Sequence, residues 1–449
     1  MKNKRSYNHP WRYALAMFGL SITGYMYVSY GTFLYNDKLG LSLSTIGIAT
    51  VLFSIWDAFN DPITGFLSDR TRSRFGRRKP WLVACTPVFV VAAILFFSPP
   101  ASLGNGLSLA FYYTFFLMLT ETANTIASVN YHSLLPELFR ETDVRNRANA
   151  IRQALQLVGM IIGVSLVPAI VSVLARSIGD EVMGYRLTAV ALGVLGGGMM
   201  LYSFLGCRER EDFSQLPQPR VAETFKAVAL NRNFWLVSVS HFFYNATTGL
   251  LLAGIPFFIK YALGQPDVMA TILSACVFVS AIPSMYLWYR LINRLGTLKV
   301  WRLALLWLAL SLGIMYFARE IVFASIAGVL VGIGIAGVTA NLDMVNSELI
   351  EEDARLSGIR REATFFAAIS FVTRLSGLLR SGVFVLLGWW FGYQSSAQPG
   401  LRPGDAARFM MVVFPFLLMA VSFAVSRFVR FKAARQAEDA PGKDAQVRA

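Results

Sequence analysis

The sequence predicts an all-α integral membrane protein of twelve transmembrane helices in two six-helix halves. Three observations carry that prediction. The 449 residues are 55% hydrophobic and only 15% charged, far below the roughly one quarter charged that soluble domains carry. Apolar runs of about 20 residues, enough to cross a hydrocarbon core of about 30 Å, recur from end to end. Lys and Arg gather in alternate polar segments: with a cytoplasmic N-terminus, the inner segments hold about 31 of the 41 and the outer ones about 7. Both termini are therefore expected in the cytoplasm, and the chain in the plasma (inner) membrane as a multi-pass monomer whose surroundings are the lipid bilayer.

The first half, residues 1–206, holds apolar runs at about 12–36, 43–68, 79–98, 107–131, 150–176 and 186–206. Residues 1–10 are polar and basic, and no Ala-x-Ala pattern follows the first run, so the first span stays as an anchor and not a removable signal. Residues 207–232 mix charges with Pro217 and Pro219 and read as a cytoplasmic linker. The second half, 233–430, holds runs at about 233–261, 268–290, 299–318, 322–346, 364–391 and 408–430. The tail 431–449 has almost no large apolar residues and is expected to be disordered.

Several function classes fall away at this level. Cys85, Cys207 and Cys276 share no close spacing, so neither a disulfide framework nor a zinc cluster is supported. The net charge of +15 sits where the positive-inside rule already accounts for it, so no nucleic-acid partner is expected. The glycine-rich stretches at 193–200 and 328–337 follow no strand and read as close helix packing, not phosphate binding. A membrane enzyme would need a catalytic set near an interface; no HExxH motif, Cys-His pairing or DxD-type cluster stands in a loop, and no cofactor is expected.

From Trp56 to Trp81 the chain reads WDAFNDPITGFLSDRTRSRFGRRKPW. This resembles the signature of the glycoside-pentoside-hexuronide:cation symporters, the melibiose permease-like branch of the major facilitator superfamily. Further similarity lies at Ser133 to Gln153 and Gly358 to Gly377. The resemblance implies parallel six-span repeats that alternate access by rocking one half against the other. Asp69-Arg70 with Gly76, echoed by Asn293-Arg294 with Gly296 in the equivalent loop of the second half, agrees with such a duplication.

Read from its residues, the loop after the second span has two uses. Gly65 would let the helix pack closely, and Asp69, unfavourable alone at a helix C-terminus, has partners in Arg70, Arg72, Arg74, Arg77, Arg78 and Lys79. That describes a cytoplasmic gate of Gly65, Asp69, Arg70, Gly76, Arg77 and Arg78 that latches the halves. The alternative is a basic run that only fixes orientation and touches anionic headgroups.

Asp57 and Asp61 are one helical turn apart, on one face of the second span. A charge inside the bilayer costs at least about 2.5–3.5 kcal/mol, and two like charges cost more. A bound cation relieves both terms. Asn60 and, on the fourth span, Thr125 add neutral oxygens suited to a hard ion such as sodium, and a proton would not need them. The resemblance places the family's cation site on Asp57, Asn60, Asp61 and Thr125, so the coupling ion is expected to be sodium or a proton. Pairing of these acids with basic residues merely to orient helices is the other reading.

Arg152 and Arg374 are the basic counterparts, and the resemblance puts them at the joint of cation and substrate sites. Where sugar-transporting relatives carry two aspartates and stacking tryptophans, this chain has Ser21, Ser128, His132 and Thr339. Tyr25 on the first span is a further candidate to line the cavity. His132 reads as a helix-end hydrogen-bonding residue or a proton relay. With Asp57 and Asp61 against Arg152 and Arg374, a bound monovalent cation leaves one surplus positive charge, which favours an anionic solute. Glu121 would cancel that surplus if it pointed inward; Glu121, Asp343 and Arg380 otherwise read as pairing charges inside the bundle. The expected function is cation-coupled symport of a small organic solute, a glycoside or an anionic sugar such as a hexuronide. A transporter of amphiphilic lipids such as lysolipids is the alternative, and an integral-membrane enzyme the remote one.

Overall fold

The computed structural model describes residues 9–139, 141–207, 228, 230–357 and 362–431. The greater part of the expected linker and the tail beyond 431 lie outside the described residues. Twelve long helical stretches follow one another, numbered here by span. The first half is built from α1 (Pro10–Phe33, continued by a π turn Leu34–Lys38), α2 (Leu43–Arg70), α3 (Lys79–Phe96) and α4 (Leu107–Leu138). It is completed by α5 (Thr142–Ile161, a π turn Ile162–Leu166, then Val167–Ile178) and α6 (Glu181–Gly206). The second half begins with α7 (Arg232–Phe257 with a π turn Phe258–Ala262), α8 (Ala270–Leu295), α9 (Thr297–Tyr316) and α10 (Ile321–Ser357). It ends with α11 (Glu362–Arg374 and Ser376–Phe391) and α12 (Pro403–Arg408, a π turn Phe409–Val413, then Phe414–Ser426).

Among the described residues ten of these stretches are long and apolar enough to cross a membrane. The two that fall short in hydropathy, α1 and α4, are no shorter, at 24 and 32 residues. Both carry buried polar side chains, among them Ser21, Thr23 and Ser29 on α1 and Thr120, Thr125 and Asn130 on α4. A helix that faces a polar centre and not lipid can be this rich in hydroxyls and amides.

Helix ends follow local chemistry. Ser42 caps α2 by accepting from Thr45 N (3.2 Å), Asp180 caps α6 by accepting from Val182 N (2.8 Å), and Asn231 caps α7 by accepting from Phe234 N (3.1 Å). The two echoing loops both turn on a glycine with positive φ, +109° at Gly76 and +82° at Gly296, a conformation that resists any Cβ.

Within each half the glycine-rich stretches pack as expected. A Cβ at Gly196 would stand 2.9 Å from the Gly19 carbonyl oxygen of α1, and one at Gly334 would stand 2.9 Å from Leu308 Cα of α9. Between the halves, α1 packs on α7, α2 on α11, and the later part of α5 on α8. Gly65 corrects an expectation: space around it is open, with nothing within 4 Å of where a Cβ would stand. The close approaches of α2 lie instead toward its N-terminus, at Gly47 against Ser381 and Val385, and at Ser54 against Gly377 of α11. Ser381 Oγ also donates to Thr50 Oγ1 (2.8 Å) in the same seam.

Candidate functional site

The seam between α2 and α11 leads to the site. α11 is interrupted at Leu375, so Arg374 stands at the last position of its first segment. From there its guanidinium crosses to the other half, with Nη1 2.6 Å from Asp57 Oδ1 and Nε 2.5 Å from Asp61 Oδ2. The i, i+4 spacing of the two acids gives one arginine both carboxylates, a use of the planar fork that a lysine could not copy. Asp57 is 9% exposed and Asn60 3%. Asp61 Oδ1 and Asn60 Nδ2 are buried with no hydrogen-bond partner, and Asn60 Oδ1 receives a long bond from Thr64 Oγ1 (3.4 Å). A buried carboxylate oxygen without a partner is costly and is a natural ligand for a cation. Thr125 is 2% exposed on α4, which packs on α2, and Trp56 Nε1 donates to Thr122 Oγ1 (2.9 Å) to fix the register of the two helices.

Beside this cluster lies a cavity of about 210 Å³ between the halves, lined by Phe53, Ser54 and Asp57 of α2, Asn245 and Gly249 of α7, and Arg374 and Arg380 of α11, among others. A smaller space of about 30 Å³, large enough to hold water, adjoins it, sharing Phe53 and Arg380 and reaching Glu121 of α4. Glu121 and Arg380 do not form an ion pair with each other: Glu121 accepts only a long bond from Asn124 (3.3 Å). Asp343 is exposed.

The remaining sequence candidates are more dispersed. Arg152 is buried on α5, and its Nε and Nη2 donate to Asn149 Oδ1 of its own helix (3.1 and 2.8 Å). Ser21 is buried with its hydroxyl unpartnered, and Tyr25 is half-buried where α1 meets Gly163 of α5. His132 Nδ1 lies 2.7 Å from the Ser128 carbonyl one turn earlier, and since α4 runs on to Leu138 the residue stands inside the helix and not at its end. Thr339 is exposed and shares a 2.7 Å hydrogen bond with the Tyr244 hydroxyl. Arg77 and Arg78 bond Glu137 at the end of α4, at 2.8 and 3.0 Å, within their own half. Gly76 turns that loop, the Arg70 guanidinium lies over the Phe66 ring, and the side chain of Asp69 is outside the described residues.

The opposite end of the bundle carries a cluster that sequence reasoning passed over. Asp37, at the end of α1, receives Lys260 Nζ (2.5 Å) and the Tyr261 hydroxyl from the end of α7, while its carbonyl accepts from Ser396 Oγ. Lys38 Nζ meets Asp267 of the second half and Glu181 of its own, each at 2.7 Å. Burial works against the Lys38 ammonium, but Asp267, Glu181 and Asp37 together hold its pKa above the ordinary value. Asn36 bonds the Gln394 carbonyl (2.6 Å) and the Tyr393 hydroxyl (2.9 Å). This end is closed by contacts between the halves.

Comparison with known proteins now decides the family. The family model described as MFS/sugar transport protein matches residues 12–432. The chain belongs to that family. It is a multi-pass membrane transporter and not an enzyme, and the symporter resemblance read in the loop after α2 is borne out. Named relatives include the symporter YnaJ of Bacillus subtilis, 28% identical over 62% of this chain and 60% of the relative. A glycoside/cation symporter of Escherichia coli, YagG, is 24% identical over 90% of this chain and 87% of its own length. A sodium-dependent lysophosphatidylcholine symporter of Gallus gallus is 25% identical over 76% and 70%. Among solved structures, a mutant of the nucleoside transporter NupG shares the fold, with a TM-score of 0.70 at 13% identity over 93% of this chain and 99% of that one.

Proposed function

We propose that this transporter couples the downhill entry of a cation, sodium or a proton, to movement of a small hydroxylated solute by alternating access. The observation that carries the reading is Arg374 bridging Asp57 and Asp61 across the two halves. A cation that ligates those carboxylates competes with the guanidinium for the same oxygens. Its arrival frees Arg374, and with it the seam between α2 and α11, so that loading and the rocking of the halves become one event. Asn60 and Thr125 supply the neutral oxygens of the cation site. Ser21, Tyr25, Ser128, His132, Arg152, Thr339 and Arg374 are the proposed substrate contacts, and the Gly65–Arg78 loop the proposed gate at its end of the bundle. By the positive-inside distribution that end is cytoplasmic and the Asp37 end faces out.

The cavity of about 210 Å³ is smaller than the roughly 300–1,000 Å³ of sites for drug-sized ligands, which favours a compact solute such as an acidic monosaccharide. Its position beside Arg374 and Arg380 favours an anion. Similarity to a lysophosphatidylcholine symporter supports the second reading, in which the cargo is a lysolipid. Uptake into proteoliposomes under imposed sodium or proton gradients tests both, with D-glucuronate, D-glucose and lysophosphatidylcholine as solutes. Gradient-driven accumulation that Asp61→Asn abolishes supports coupling; accumulation indifferent to both gradients overturns it.

A further inference from the structure

Arg380 is the charged group that the coupling mechanism leaves unused. It lies on α11 six residues beyond Arg374, within a membrane span, yet it has no hydrogen-bond or ion-pair partner among the described residues. Its Nη1 lies toward Gly249 of α7, 3.3 Å from where a Cβ would stand, so a larger residue there would crowd the guanidinium. The guanidinium is only partly buried and lines the cavity with Asn245, so its five N–H donors, with no acceptor from the protein, are free to meet an anionic group there.

Glu121 presents the complementary half of the pattern. It reaches the adjoining space from α4, on the opposite half of the protein, and its one hydrogen bond leaves most of its acceptor capacity free. Phe53 lines both spaces and gives them an apolar wall. A positive fork and a carboxylate that line one connected space without closing on each other describe a solute with an anionic end and hydroxyl donors.

We propose that Arg380 and Glu121 form a bipartite specificity site for a polyhydroxylated monoanion. Arg380 takes the carboxylate or sulfonate, and Glu121 accepts from the hydroxyls. The proposal rests on the transport reading above and deepens it, because Arg380 and Glu121 belong to different halves and a bound solute would tie the two together. Arg374 then carries the coupling, yielding Asp57 and Asp61 to the cation, and Arg380 supplies the anion selectivity.

The test is ligand binding to the purified full-length protein by calorimetry, with D-glucuronate, D-glucose, 2,3-dihydroxypropane-1-sulfonate and propane-1-sulfonate as probes. The response of thermal stability to sodium and to pH is read in parallel without solute. The wild type is expected to bind the two hydroxylated anions at least about tenfold more tightly than D-glucose or propane-1-sulfonate. Arg380→Gln should erase the preference for D-glucuronate over D-glucose, and Arg380→Lys should restore part of it. Glu121→Gln should weaken 2,3-dihydroxypropane-1-sulfonate while leaving propane-1-sulfonate unchanged. All three variants should keep the wild-type cation response, which reports both folding and the Asp57–Asp61 site. An acid preference that survives Arg380→Gln with the cation response intact overturns the specificity site and leaves coupling standing. Binding of none of the four probes also overturns it, and loss of any cation response in the wild type overturns the coupling reading instead.

Discussion

The Lys260 ammonium stands 2.5 Å from Asp37 Oδ2, and through this contact the end of α7 holds the end of α1. The Asp37 side chain is fully buried, so its charge is compensated by Lys260, Tyr261 and Lys38 and not by water. Asp37→Asn removes that attraction and should bias the protein toward opening at this end by about 1–3 kcal/mol. Asp69→Ala, in the loop at the other end, should shift the same equilibrium the opposite way. Accessibility of cysteines introduced at each end reads both; shifts in the same direction, or none, would refute the opposed-gate arrangement.

Removing Arg374 should expose what it covers. Arg374→Ala leaves Asp57 and Asp61 as two unpaired acids one turn apart, so the variant should lose stability in cation-free buffer. It should regain more of it than the wild type does when sodium is added or the pH is lowered. A ligand at a hundredfold its Kd stabilises by about 2.7 kcal/mol, which sets the scale of the recovery. Identical cation responses in the two proteins would separate Arg374 from the cation site.

The seam between α2 and α11 makes a steric prediction. Gly377→Val places a branched side chain against Ser54 and should cost the closed arrangement about 1–3 kcal/mol. Gly65→Ala meets open space and should be neutral, or stabilising by up to about 1 kcal/mol through helix propensity. Equal effects at the two glycines, measured by thermal unfolding in detergent, would mean that the seam does not set stability.

Tyr244 and Thr339 supply a fourth test. Their 2.7 Å hydrogen bond joins α7 to α10, and Thr339 stands where the family resemblance put a tryptophan. Thr339→Val keeps the shape and strips the hydroxyl, so it should cost about 0.5–1.5 kcal/mol of stability. If solute affinity falls while stability is unchanged, Thr339 contacts cargo and does not merely brace α7.

The spans were legible because a run of about 20 apolar residues has few other uses. Asp57 and Asp61 were legible because membrane acids at i, i+4 demand compensation. Arg374 was named with Arg152 as a basic counterpart, but that Arg374 alone of the two bridges both acids could not be read, since the pairing is 317 positions away in sequence and depends on the break at Leu375. Asp37 and Lys38 were passed over because an acid and a base at a span end look like a solvated flank. Lys260, Tyr261 and Asp267 become their partners only once α1 and α7 are docked. Gly65 misled because a helical glycine marks only a possible approach, and whether any neighbour comes close is decided by other parts of the chain; here none does.

The π turns that end α1 and α7, Leu34–Lys38 and Phe258–Ala262, close the first helix of each half and are joined through Asp37. Were this an isologous contact between identical copies, every bridge would occur twice. Here the third and fourth positions are Asn36 and Asp37 in one turn and Lys260 and Tyr261 in the other, so the carboxylate occurs in only one of the two turns. Both Lys260 and Tyr261 converge on the single carboxylate. This part of the closure therefore has no twofold redundancy: neutralising Asp37 removes both bonds at once, and the halves are left to the Lys38–Asp267 pair and the bonds of Asn36.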